Sequence, residues 1–227
     1  MYSHIEITKK IHRLIPSKFP PVLLFDWAET KEELEQIAAL EGLTNPRLED
    51  ELGNINLVAD DEWIGGEGTT PIMAAFTHIG YESRFSDGTY GVYYAADSIK
   101  TAIKETLFHR ERFYRASNEA ACSITMREYV TNVVQPLIKL TPEHHPECFN
   151  PDPKYYSGSQ KMGLELRRKN EWGIYYPSMR DKEGGCVAIL RPKALRYPVA
   201  QGAHFKYMWD GSSIYEVYKE KQIENIV

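Results

Sequence analysis

The chain has 227 residues, 42% hydrophobic and 26% charged, with a net charge of −5. These totals fit a globular protein of one large domain, or of one domain with an appendage. They exclude the basic surplus by which proteins neutralise duplex phosphate, so direct nucleic-acid binding is not expected, while a local basic pocket for a small anion stays open. Cys122, Cys148 and Cys186 are odd in number and widely spaced. A disulfide framework is therefore not expected, and a reducing cytoplasm is the simpler setting. The start, MYSHIEITKKIHRLIP, lacks the continuous apolar core of a signal peptide. No run approaches the roughly 18 apolar residues of a membrane span.

In chain order, residues 1–20 are ambiguous, and Pro16, Pro20 and Pro21 stop any helix there. VLLFDW, 22–27, is a short apolar stretch. In TKEELEQIAALEG, Thr30 and Glu33 have capping-box spacing, so a helix follows. NPRLEDELGN predicts a second short helix, and DDEWIGGEGTTP, 60–71, reads as a loop. PIMAAFTHI predicts a buried strand, SDG at 86–88 a turn, and YGVYYAA, 90–96, another strand. Asp97 reads as the N-cap of a helix whose stripe is Ile99, Ala102, Ile103, Thr106, Leu107 and Phe113 or Tyr114. ITMREYVTNVV predicts a strand, 141–153 a loop rich in Pro and His, and 155–169 a helix. WGIYYPS and GGCVAILRP follow as strands, and 203–218 as a closing hairpin about Asp210 and Gly211. The expected fold class is α/β or mixed α+β. Residues 1–70 would form a mostly helical N-terminal extension on a core of 71–227.

Ordinary structural roles account for most polar residues taken singly. Glu105 sits at the edge of its helix stripe, where pairing with His109 or Arg112 is the common outcome. Arg84 precedes a turn, yet its guanidinium fork also suits phosphate. Tyr93 and Tyr94 point to opposite faces of their strand, and packing explains both. Ser178 ends a strand without the glycines of a nucleophile elbow, so it reads as a turn serine or a hydroxyl donor at a strand end. His144, His145 and Cys148 match no zinc spacing, and neither a P-loop nor a dinucleotide-binding glycine fingerprint occurs.

The segments MAAFTH, RFSDGTYGVYYAADS with TAIKE and HRERF, YYSGSQ, GIYYPSMR and GGCVAIL, taken in order, resemble the RES domain family from about Pro71 to Trp209. RLIPSKFPPVLLFDW and EGLTNPRLEDELG resemble one branch of it. The resemblance implies a fold similar to that of ADP-ribosyltransferase toxins. It also implies a bacterial type II toxin that depletes NAD+ by phosphorolysis or hydrolysis at the nicotinamide–ribose bond. NAD+ would then be substrate and phosphate a co-substrate, with no resident cofactor and no metal. The implied partner is a cognate Xre-like helix-turn-helix antitoxin, which carries the DNA binding, in a complex that could hold a homodimer. Carried over by position, the catalytic set is Arg84, Tyr94, Glu105 and Ser178. Arg-Phe-Ser stands at 84–86 where many members have Arg-Trp-Asn. A second arginine of the family is not evident in AAFTHI, which makes His78 the candidate to complete a phosphate clamp. A mono-ADP-ribosyltransferase acting on a macromolecule would use much the same pocket. A module that only binds its partner would not need the four residues intact.

Overall fold

A computed structural model describes residues 2–17, 23–42 and 52–221. One nine-stranded sheet organises them. Its strands are β1 (His4–Ile5), β2 (Ile11–Pro16), β3 (Tyr93–Ala96), β4 (Cys122–Thr131), β5 (Leu137–Lys139), β6 (Gly173–Pro177), β7 (Gly185–Ile189), β8 (Ala200–Trp209) and β9 (Ile214–Lys219). Their order is β1-β5-β6-β7-β3-β2-β4-β8-β9. β5 and β6 run parallel, and the other neighbours are antiparallel. The helices are α1 (Lys31–Gly42), α2 (Thr70–Thr77), α3 (Ile99–Ala116) and α4 (Ser157–Arg168). The fold is mixed α/β, and no described helix is long and apolar enough to cross a membrane.

Both faces of the sheet are covered. On one face Tyr93, Ala95, Val187 and Ile189 meet Phe25, Leu34, Ile72, Met73 and Phe76 from the N-terminal segment, α1 and α2. On the other, Ala96, Met126, Tyr176, Cys186 and Ala188 meet Phe85, Ala102 and Leu166, which brings α3, α4 and the turn before β3 together. β7 is buried along its whole length, as a strand packed on both sides must be. Gly163 of α4 shows how close that packing is. A Cβ there would stand 2.1 Å from the Phe85 carbonyl oxygen.

Several expectations change. PIMAAFTHI forms α2 rather than a strand. Pro71 suits a first helical turn, and six of the eight helix residues are buried, so the apolar run has no polar face to reveal its period. Ser98, not Asp97, caps α3, its Oγ accepting the Thr101 amide at 3.1 Å. Asp97 instead accepts from the Tyr175 hydroxyl at 3.4 Å. The mostly helical extension does not hold at its start, where residues 4–16 supply β1 and β2. β2 lies inside the sheet, with six partners on β4 and one on β3. A segment that fills a central strand position is part of the core, not an appendage.

Other expectations stand. The capping box at α1 forms, with Glu33 N–H donating to Thr30 Oγ1 at 3.2 Å and the Glu33 carboxylate accepting from Glu29 and Thr30 amides. β3, α3, β4, α4, β6, β7 and the β8–β9 hairpin fall on their expected segments. The second short helix read from NPRLEDELGN lies almost wholly outside the described residues.

Candidate active site

Four expected residues lie on the α3/α4 face of the sheet. Tyr94 is on β3, Glu105 two turns into α3, Ser178 directly after β6, and Arg84 in the turn before β3. Their burial and hydrogen bonds form two linked groups.

The first is an acid held by a hydroxyl. Ser178 Oγ donates to Glu105 Oε1 at 2.5 Å and accepts the backbone N–H of Arg180 and of Asp181, each at 3.0 Å. Ser178 is 8% exposed. The Ser178 amide donates to Gly184 O and the Gly184 amide to Asp181 O, which closes the turn. Asp181 then bolts that turn to α3, accepting Thr101 Oγ1 at 2.9 Å and Lys104 Nζ at 2.8 Å. The Cys186 thiol lies 3.8 Å from the same Glu105 oxygen, and burial, reinforced by the Glu105 charge, pushes its pKa well above the ordinary range. It stays a neutral donor. The structure thus places a carboxylate beside Ser178. Both lone pairs of the hydroxyl already accept N–H groups, however, so its chemistry is that of a positioning donor rather than a nucleophile.

The second group is a buried guanidinium. Arg84 is 8% exposed. Its Nη1 donates to the carbonyls of Cys148 (2.8 Å) and Asn150 (3.1 Å), and its Nη2 to Tyr156 Oη (3.0 Å). The guanidinium also lies 4.3 Å over the Tyr156 ring. Tyr94 supports the arginine's turn. Its hydroxyl accepts the Phe85 amide at 2.9 Å and shares a 2.8 Å hydrogen bond with Ser83 Oγ, and burial raises its pKa to about 12. Tyr176 joins the two groups. It is buried against Phe85, with ring centroids 5.0 Å apart, and feels the charges of both Glu105 and Arg84.

His78 is placed differently from the other four. It ends α2, is exposed, and its Nδ1 lies 2.9 Å from Ala74 O. Two further arginines escaped the sequence reading. Arg13 on β2 is stacked 4.5 Å over Tyr93, donates to Tyr94 O at 3.3 Å, and has a buried Nε without a partner. Arg180 lies 3.4 Å over the Phe108 ring and donates to Pro151 O. A signal for Arg180 was present, since it stands two residues after Ser178 in PSMR. His109 feels this concentration of charge. Loss of water around its ring, and then Arg180, Arg110, Arg84 and Arg112, push its pKa down to about 4, although the residue as a whole is exposed.

A cavity of about 300 Å³ lies elsewhere, lined by Leu57–Ala59, Glu62, Phe76, Gly91, Arg167 and Arg191 among others. Of its two arginines, Arg191 is paired with Glu62 and Arg167 donates to Leu190 O. It holds none of the four residues, and the acid–hydroxyl geometry outweighs its volume as an indicator of chemistry. Among the described residues no group of three or more His, Cys, Asp or Glu side chains could hold a metal ion.

An uncharacterised protein, y4oC, of Sinorhizobium fredii (strain NBRC 101917 / NGR234) is 26% identical over 215 residues, covering 94% of this chain and 89% of its own. A chain in the crystal structure of the M. tuberculosis MbcT–MbcA toxin–antitoxin complex is similar over 92% of this chain and 87% of its own, at 12% identity and a TM-score of 0.46. The model of the RES domain matches residues 59–210, more than half of the chain. The chain belongs to the RES domain family.

Proposed function

We propose that this protein is the toxin of a type II toxin–antitoxin pair and that it depletes NAD+ by cleaving the nicotinamide–ribose bond. The observation that carries this reading is the Ser178–Glu105 hydrogen bond at 2.5 Å, on the same sheet face as the buried Arg84. Family membership supports it, and the resemblance assigns Arg84, Tyr94, Glu105 and Ser178 to the family's motif.

The chemistry follows from charge. When the C1′–N bond breaks, its electron pair leaves with nicotinamide, which departs neutral and needs no proton. Positive charge grows on the ribose. A carboxylate fixed beside it stabilises that charge more in the transition state than in the ground state. Ser178 and Cys186 both address Glu105 Oε1, so Oε2 is the oxygen left to meet the ribose. Water then bonds to C1′ and loses a proton, for which Glu105 is the local base, or phosphate bonds there and gives the ribosyl phosphate. Arg84 would grip an anionic part of the substrate, and Tyr94 would hold Arg84's turn. An Xre-like antitoxin would cover the site.

Purified protein incubated with NAD+, with and without phosphate, tests the reading. Release of nicotinamide is expected, and the second product identifies the acceptor. Intact NAD+ after hours under both conditions overturns it. Label from NAD+ appearing on a macromolecule would instead favour ADP-ribosyl transfer.

A further inference from the structure

Two arginines grip one short stretch of backbone. Arg84 Nη1 donates to the carbonyls of Cys148 and Asn150 at 2.8 and 3.1 Å, and Arg180 Nη2 donates to the next carbonyl, that of Pro151. Neighbouring carbonyls are one peptide apart, so the two guanidinium groups meet the same turn within about 10 Å of each other. Guanidinium forks match phosphate and carboxylate oxygens, and neutral carbonyls are their weaker partners. Among the described residues neither arginine is paired with a carboxylate. The Arg180 Nε is buried and has no hydrogen-bond partner.

Arg180 is also tied to the centre of the site. Its own amide donates to Ser178 Oγ, the atom that holds Glu105. Its guanidinium rests on Phe108, three residues beyond Glu105 on α3. An anion held between Arg84 and Arg180 would therefore belong to the same site as the carboxylate. That is the arrangement a dinucleotide needs, with its diphosphate on cations and its ribose on an acid.

We propose that Arg180 is the second arm of a diphosphate clamp with Arg84, and that the carbonyls of Cys148, Asn150 and Pro151 fill this clamp until the substrate's phosphate oxygens replace them. The proposal rests on the NAD+-cleavage reading above and names the residue that gives it selectivity for a diphosphate. The exchange trades neutral acceptors for charged ones, and it frees the 146–153 segment. Cys148 reports that release, because its thiol is fully buried while Cys122 is exposed.

Two measurements on the full chain test this. In the first, Arg180→Ala and Arg180→Lys are compared with wild type for NAD+ turnover and for competitive inhibition by inorganic pyrophosphate and by nicotinamide. The expected result for Arg180→Ala is a KM for NAD+ and an inhibition constant for pyrophosphate each raised about ten- to hundredfold, the worth of a charge-assisted contact. Inhibition by nicotinamide should not change, and Arg180→Lys should recover only part of the loss. In the second, wild-type protein is alkylated with and without pyrophosphate, and each cysteine is followed by peptide mass spectrometry. Cys148 should react faster with pyrophosphate present, while Cys122 keeps its rate. Unchanged KM and pyrophosphate inhibition in both variants overturn the clamp, and an unchanged Cys148 rate overturns the displacement. A wild type that leaves NAD+ intact defeats the proposed reaction instead, and the alkylation measurement still reads the clamp.

Discussion

Ser178→Ala removes one oxygen and breaks three hydrogen bonds. The hydroxyl accepts the amides of Arg180 and Asp181 and donates to Glu105. The Asp181 amide is in a buried bond and cannot turn to water, so its loss costs about 1–3 kcal/mol. The Arg180 amide is only partly buried and costs less. The lost donation to a carboxylate adds an amount of similar size, offset where water reaches Glu105. The sum is about 2–4 kcal/mol of stability. The activity loss is separate in origin. Glu105 keeps its charge but loses the contact that orients it, which corresponds to about a hundredfold in kcat, as for removal of one preorganised group. Urea unfolding reads the first quantity and initial rates of NAD+ consumption the second. A destabilisation below about 0.5 kcal/mol, the level of an ordinary surface substitution, together with near-normal kcat, would falsify the account of Ser178 as the brace of Glu105.

Three further outcomes follow from the same geometry. Glu105→Gln keeps an acceptor for Ser178 and so should stay close to wild type in stability, yet lose at least about 10²-fold in kcat, because an amide cannot offset developing positive charge; equal loss of both would point to a purely structural acid. Tyr94→Phe should be costly even without substrate, by about 1–2 kcal/mol in urea unfolding, since the hydroxyl accepts the Phe85 amide and bonds Ser83; a neutral substitution would show that the Arg84 turn holds without it. His109 has its pKa held near 4, below the usual 6.5 or so, so the unfolded chain takes up a proton that the folded one refuses. Its contribution to stability is therefore complete above about pH 6.5 and declines as pH falls toward 4. Because the residue is exposed the effect is small, but thermal melts of wild type against His109→Asn should diverge across that window, and parallel curves would contradict the loss of water around its ring and its crowding by arginines.

Much of the layout was legible because local signals agreed with the global fold. Thr30 and Glu33 announce α1 through their own side chains, which cap its first turn. Amphipathic α3 shows its apolar stripe because one side meets the sheet and the other meets water. α2 had no such contrast. With six of eight residues buried, its apolar run reads equally as strand or helix. β2 was hidden for another reason. Its place between β3 and β4 is a matter of long-range pairing, to which no residue nearby in sequence contributes.

The site divides in the same way. Residue types and their order were sufficient to relate the chain to the RES domain family, and through that resemblance to propose Arg84, Tyr94, Glu105 and Ser178 as its site, because a motif is a property of linear order. Which groups they touch was decided in space. Ser178 reaches Glu105 across 73 residues of chain, and Arg84 reaches Cys148 across 64. The part played by Tyr94 in holding the arginine's turn, and the gathering of Arg84 and Arg180 on one run of carbonyls, likewise come from how the sheet brings α3, α4 and their loops together. Hydrogen bonds need separations near 3 Å, and only the closed fold creates those separations between residues so far apart in the chain.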